Sequence, residues 1–208
     1  MKRSLLVGLS VAVLTAAACA DDMNPPPWRG APGQNTTFQY WEFLTDANPS
    51  APDGGLNPYG APLATILGSF PTRWVADDQG HSGVWITEEW IELLLPNSPD
   101  DNKYKEIWLQ MTFDAGPGPV EPDFFVIAPG ATSVELLEIV AVDDYYERAT
   151  WRIIIEPNPP EETVCIHPRN CVLFVDEIVV DTRCVPEPAS VALLALGGLG
   201  VLLGRKRR

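Results

Sequence analysis

Cations are scarce in most of this 208-residue chain. Of its 14 Lys and Arg residues, Lys2, Arg3 and the run Arg205, Lys206, Arg207 and Arg208 sit at the two ends. All 28 acidic residues lie between those ends, so the middle is more negative than the −14 of the whole chain. A surface of that sign repels phosphate backbones and argues against nucleic acid as a partner. Histidine is also rare, with only His81 and His167. There is no Gly-x-Ser-x-Gly elbow, no His-Glu-x-x-His and no phosphate-binding loop. His81 next to Ser82 is adjacency in sequence, not a catalytic geometry. Glycoside hydrolysis would need two carboxylates at a set distance in space, and no pair stands out in the sequence. A hydrolase is therefore the weakest reading, and the expectation is no enzyme. No fixed-period repeat occurs.

What is present is concentrated first at the ends. Lys2 and Arg3 precede an apolar run, and Ala18-Cys19-Ala20 gives a small-x-small pattern before Asp21. This predicts a secretory signal peptide over 1–20, with cleavage after Ala20. Cys19 also fits a lipoprotein acylation site, for which Ala16 is a poor upstream residue. At the other end, residues 189–204 (ASVALLALGGLGVLLG) carry no charge. As a helix they would span about 24 Å, slightly short of a bilayer core of about 30 Å. The long cations that follow extend such a segment to the interface and hold it on the cytoplasmic side.

The sequence Val185-Pro186-Glu187-Pro188, the apolar run and the four closing cations together resemble a bacterial PEP-CTERM protein-sorting signal. The resemblance covers residues 185–208 and leaves the body of the chain unassigned. It implies export, transient anchoring through a C-terminal membrane helix, and processing at Pro186, Glu187 and Pro188 by an exosortase-type enzyme. It further implies an address in the cell envelope or an exopolysaccharide-rich biofilm matrix.

Between the ends, residues 21–35 are rich in Pro and Gly and read as an extended spacer rather than a packed element. Residues 36–184 form one domain of β pattern. Short runs of β-branched and aromatic residues at 36–44, 63–67, 72–75, 84–87, 90–95, 105–114, 123–128, 134–142, 146–156, 163–166 and 172–181 alternate with turns rich in Gly, Pro, Asp and Asn. Residues 45–62 read as a long loop. The runs 90–95 and 105–114 read as a hairpin, and so do 134–142 and 146–156 across Asp143-Asp144. The class predicted is all-β, an antiparallel β-sandwich of jelly-roll type, with helices only in the signal and the anchor. Phe174-Val175-Asp176-Glu177-Ile178 is similar to the closing strand of galactose-binding-like jelly rolls, which supports that topology and transfers no binding residue.

Three side-chain sets could carry chemistry. Exported proteins keep disulfides, and Cys165 and Cys171 flank a short loop in a way that favours their pairing. Cys184 is then left free or pairs between molecules. A zinc site from the three Cys and His167 has no usual ligand spacing. The aromatics Trp41, Trp74, Trp85, Trp90, Trp108, Trp151, Tyr40, Tyr104, Tyr145 and Tyr146 are numerous. Exposed, they would stack on sugar rings; buried, they would build a sandwich core. Asp53, Asp77-Asp78, Asp100-Asp101-Asn102 and Asp143-Asp144 put oxygens in turns, which suits Ca²⁺, but none has a calcium-loop spacing and acids favour turns anyway. No metal site is predicted. The reading is an exported, non-catalytic matrix or envelope protein, with a carbohydrate-binding module as the alternative.

Overall fold

The alternation seen in the sequence becomes two facing sheets. The computed structural model describes residues 22, 24–31, 35–69, 72–99, 104–114, 124–169 and 172–185. Among them run β1 (Asn35–Trp41), β2 (Gly54–Leu56), β3 (Leu63–Ile66), β4 (Arg73–Asp78), β5 (His81–Thr87) and β6 (Ile91–Pro96). There follow β7 (Tyr104–Asp114), β8 (Phe124–Ile127), β9 (Ala131–Ala141), β10 (Tyr146–Ile155), β11 (Glu161–Pro168) and β12 (Leu173–Val185). No helix occurs among the described residues. The signal segment, the anchor, Pro186, Glu187, Pro188 and the basic end lie outside them.

The larger sheet has the order β2-β1-β12-β7-β10-β9, and β5 joins β12 and carries β4. The smaller has the order β3-β6-β11-β8. All pairings are antiparallel. Every second residue of a strand faces the opposite sheet. Ile91, Leu93 and Leu95 of β6 and Val164 and Ile166 of β11 thus meet Ile107, Leu109, Met111 and Phe113 of β7 and Trp151 and Ile153 of β10 in one core. Each such side chain contributes about 1.5–3 kcal/mol on burial.

Three local expectations are overturned. The runs at β6 and β7 do not form a hairpin: β6 belongs to the smaller sheet and β7 to the larger. Both runs are apolar on one face, so pattern alone cannot say whether they pair or face each other across the core. The long loop 45–62 contains β2, where Gly54 and Gly55 pair with Tyr40 and Gln39. Gly55 has φ +118°, and a Cβ there would lie 2.2 Å from the Phe38 carbonyl oxygen, so glycine is what lets this strand close on β1.

The third correction concerns the spacer. Residues 24–31 lie against the outer face of the larger sheet, where Trp28 is buried. The Asn24 backbone N–H donates to Gln110 Oε1 at 3.0 Å, its side-chain amide to Glu138 Oε1 at 2.7 Å, and Trp108 Nε1 donates to the Asn24 carbonyl at 2.8 Å. The segment is not extended: residues 27–30 form turns, with the Arg29 N–H donating to the Pro26 carbonyl and the Ala31 N–H to the Trp28 carbonyl, both at 3.0 Å. The polar outer faces of β7 and β9 gave it partners.

Candidate functional site

β12 is an interior strand. It pairs with β1 from Cys184↔Asn35 to Ile178↔Trp41 and with β7 from Val185↔Tyr104 to Phe174↔Asp114. Val185, where the sorting-type segment begins, is therefore held at the end of a central ladder. Because β1 runs antiparallel to β12, the chain enters and leaves the sandwich at the same end.

Directly under that exit, the space between the sheets turns polar. Lys105 at the start of β7 is fully buried, and Asn97, Glu162 and Cys184 are each at most 5 % exposed. Lys105 Nζ lies 3.1 Å from Glu162 Oε1 and donates to Asn97 Oδ1 at 2.6 Å. The same oxygen accepts the Ser98 backbone N–H at 2.7 Å and the Cys184 thiol at 3.0 Å. Asn97 Nδ2 donates to Asn158 Oδ1 at 2.8 Å and to the Pro159 carbonyl at 2.5 Å. Burial pushes the Glu162 carboxyl up to about 7, against the pull of Lys105. Burial also raises the Cys184 thiol, although Lys105 opposes it. Sequence reading singled out Cys184 but not Lys105, Asn97 or Glu162. The available signal was phase: Lys105 is two residues before Ile107 and Glu162 two before Val164, so both occupy inward positions.

On the outer face, Arg29 binds Asp181 through two contacts of 2.5 Å and also pairs with Asp22. Asp181 is fully buried and its pKa rises to about 6, because desolvation outweighs the attraction of Arg29. Burial disfavours the Arg29 charge, but its bonds to Asp181 and Asp22 raise its pKa overall. Glu106, also buried, is flanked by Arg152 at 2.7 Å and Arg183 at 2.5 Å.

A third cluster lies at the far end of β12. There β12 carries a bulge between Val175 and Glu177, and Asp176 is the extra residue. Bulges re-aim side chains, and Asp176 Oδ2 sits 2.7 Å from His81 Nδ1. His81 Nε2 lies 3.0 Å from Asp143 Oδ2 in the β9–β10 turn. The ring stacks on Tyr146 at 3.9 Å, and the Tyr146 hydroxyl donates to Asp78 at 2.9 Å. Burial works against the His81 charge, yet its two carboxylates raise its pKa. Asp143 is held down to about 2 by the backbone N–H of Tyr146 and then by His81. With both nitrogens on carboxylates, the ring works as a clasp between β5, β12 and the β9–β10 turn.

The other predicted residues are dispersed. Trp41, Trp85, Trp151 and Tyr146 are core or buried, and Trp74 packs against the core. Tyr145, 54 % exposed, is the one large aromatic among the described residues that stands free in solvent. Cys165 and Cys184 are free thiols, and Cys171, the expected partner of Cys165, lies outside the described residues. Asp53 Oδ2 accepts the Glu42 N–H and Asp143 Oδ1 the Tyr145 and Tyr146 N–H groups, so both do turn chemistry. Asp100, Asp101 and Asn102 are outside the described residues. Among the described residues no group of three His, Cys, Asp or Glu side chains could hold a metal ion. A cleft of about 220 Å³ beside β1 is lined by Gln39, Pro52, Gly54, Gly55, Leu56, Asn57 and Pro62. The buried Gln39 side-chain amide makes no hydrogen bond.

Residues 185–208 match the family model of the PEP-CTERM protein-sorting motif. No curated protein and no solved structure matches the chain. The motif implies export and sorting to the envelope through an exosortase-type processing enzyme. It begins at Val185, the last residue of β12.

Proposed function

We propose that this chain is an exported, non-catalytic β-sandwich protein, presented at the cell envelope or in its polysaccharide matrix by its C-terminal sorting motif. One observation carries the reading: the motif leaves from the end of an interior strand bonded on both sides. A pull on the tail is thus shared by two ladders instead of peeling an edge strand. The entry and exit of the chain at one end leave the opposite end, with Tyr145 and the His81 clasp, facing away from the attachment. The order β1-β12-β7-β10 against β6-β11-β8, with successive strands crossing between sheets, supports a jelly-roll arrangement.

The test is processing in cells. The full chain is produced in a host with and without an exosortase-type enzyme, and membrane, surface and medium fractions are followed. A change of Pro186, Glu187 and Pro188 to Ala is expected to leave the uncut chain in the membrane fraction. Release of that variant at the wild-type rate would refute sorting by this motif.

The cleft at Gln39 favours one second reading, carbohydrate binding. A cleft flanked by Leu56, Pro52 and Pro62 and an unpaired amide has the mixed character that sugar sites use. On this reading a sugar would sit in the cleft and not on an aromatic platform. Electrophoresis through gels cast with neutral and acidic polysaccharides, with and without Ca²⁺, tests it: retardation lost in Q39A supports it, and unchanged migration across the panel refutes it.

A further inference from the structure

The buried cluster under the tail has the composition of a reaction centre. An amine, a carboxamide and a carboxyl group meet in a site closed to water, inside an exported fold. We propose that Lys105 and Asn97 join spontaneously into a side-chain amide cross-link, with Glu162 carrying the protons.

The geometry supports each part. Lys105 Nζ is 2.6 Å from Asn97 Oδ1. The carbonyl carbon lies one C=O bond of about 1.2 Å beyond that oxygen, so the amine is within about 3.8 Å of the atom it must reach. The orientation of the Asn97 amide is fixed by its surroundings: three donors converge on Oδ1 and two acceptors on Nδ2. The Ser98 N–H and the Cys184 S–H remain on Oδ1 after Lys105 turns to attack, and they hold the negative charge that develops there. Glu162 is 3.1 Å from the amine, and its side-chain oxygens have no hydrogen-bond donor besides this ion-pair contact. A dry site penalises separated charges. The raised Glu162 pKa agrees with a carboxyl that holds its proton there.

The step balances without any further reagent. Lys105 passes a proton to Glu162 and becomes the free amine. Its lone pair forms a bond to Asn97 Cγ while the C=O π pair moves to Oδ1. Glu162 returns its proton to Nδ2, the Oδ1 pair re-forms the C=O bond as the Cγ–Nδ2 pair departs with nitrogen, and ammonia leaves toward the half-buried Asn158 and Pro159. The charged Nζ gives a proton back to Glu162. One amide and one ammonia replace an amine and a carboxamide. The bond links the segment that follows β6 to β7, which joins the two sheets covalently beside the point where the sorting segment departs.

The test is peptide mapping of the full-length folded chain after denaturation. Trypsin is expected to leave peptides 74–103 and 104–148 covalently joined, uncut at Lys105 and lighter by one ammonia than their sum. The unmodified pair of peptides from folded wild-type chain would overturn the proposal. K105R separates it from a different ammonia loss, ring closure of Asn97 onto its own backbone. That variant is expected to show the full mass, and persistence of the loss in it would overturn the cross-link. E162Q is expected to give unlinked peptides, and linkage at the wild-type level would remove Glu162 from the reaction. Because the linked peptide is read on the wild-type chain, a variant that fails to fold does not decide the matter alone.

Discussion

Gly83 shows how much one residue without a side chain fixes here. Its φ is +83°, in the left-handed region, and a Cβ there would stand 2.4 Å from the Phe43 carbonyl oxygen and 2.6 Å from that of Glu42. Backbone atoms cannot step aside as a flexible side chain does. Gly83→Ala therefore adds strain and a clash, and we expect a loss of about 1–3 kcal/mol in denaturant unfolding. Arg29 is the complementary case. Its removal leaves the fully buried Asp181 without its cation. Loss of one partner of a buried pair costs about 3–5 kcal/mol. Arg29→Ala should show a loss of that order in urea melts, and the double change with Asp181→Asn should recover much of it. If the single and double variants unfold alike, the pairing is not what holds residues 24–31 to the sheet.

Between elements, the His81 clasp makes a pH-dependent join. A base whose folded pKa lies above its ordinary 6.5 contributes fully below pH 6.5 and loses that contribution as pH rises through the folded value. Asp143, held at about 2 instead of its ordinary 3.8, contributes above 3.8 and loses its part as pH falls toward 2. The join between β5, β12 and the β9–β10 turn is thus complete between about pH 4 and 6.5. Stability measured from pH 6 to 9 should fall for the wild type and flatten in His81→Asn. A wild-type curve with the slope of the variant would show that the clasp does not titrate with folding. The bulge at Asp176 serves the same join, since without the extra residue the acid would follow the regular alternation of its strand.

For the molecule as a whole, β12 decides whether a sandwich exists. It provides the pairing surface of β1, β5 and β7 and places Val175, Ile178 and Val180 in the core. A chain ending at residue 172 should fail to show cooperative thermal unfolding by circular dichroism. One ending at residue 185 should melt like the full-length chain. A cooperative transition in the shorter chain would mean that the larger sheet forms without its central strand. The arrangement also explains why a short sorting motif can follow the fold directly: its first residue, Val185, is still paired with Tyr104.

The amino-acid sequence determined the class and the address by itself. Alternating apolar residues specify strands, Gly, Pro and Asp specify their breaks, and the Pro186-Glu187-Pro188 tail is recognised without reference to the body. The hairpin of β9 and β10 across Asp143 was legible because the acid bonds to the backbone two and three residues on. Which strands face and which pair was decided only in three dimensions, as β6 and β7 demonstrate, because a period of two says which side is apolar and not what lies opposite. The same limit hid the clusters. Asn97, Lys105, Glu162 and Cys184 are separated by up to 87 residues in the chain, and His81 meets an acid 95 residues away. Charges on inward positions mark such places in the sequence. Their partners come from other strands, and only the packing of two sheets brings them within bonding distance.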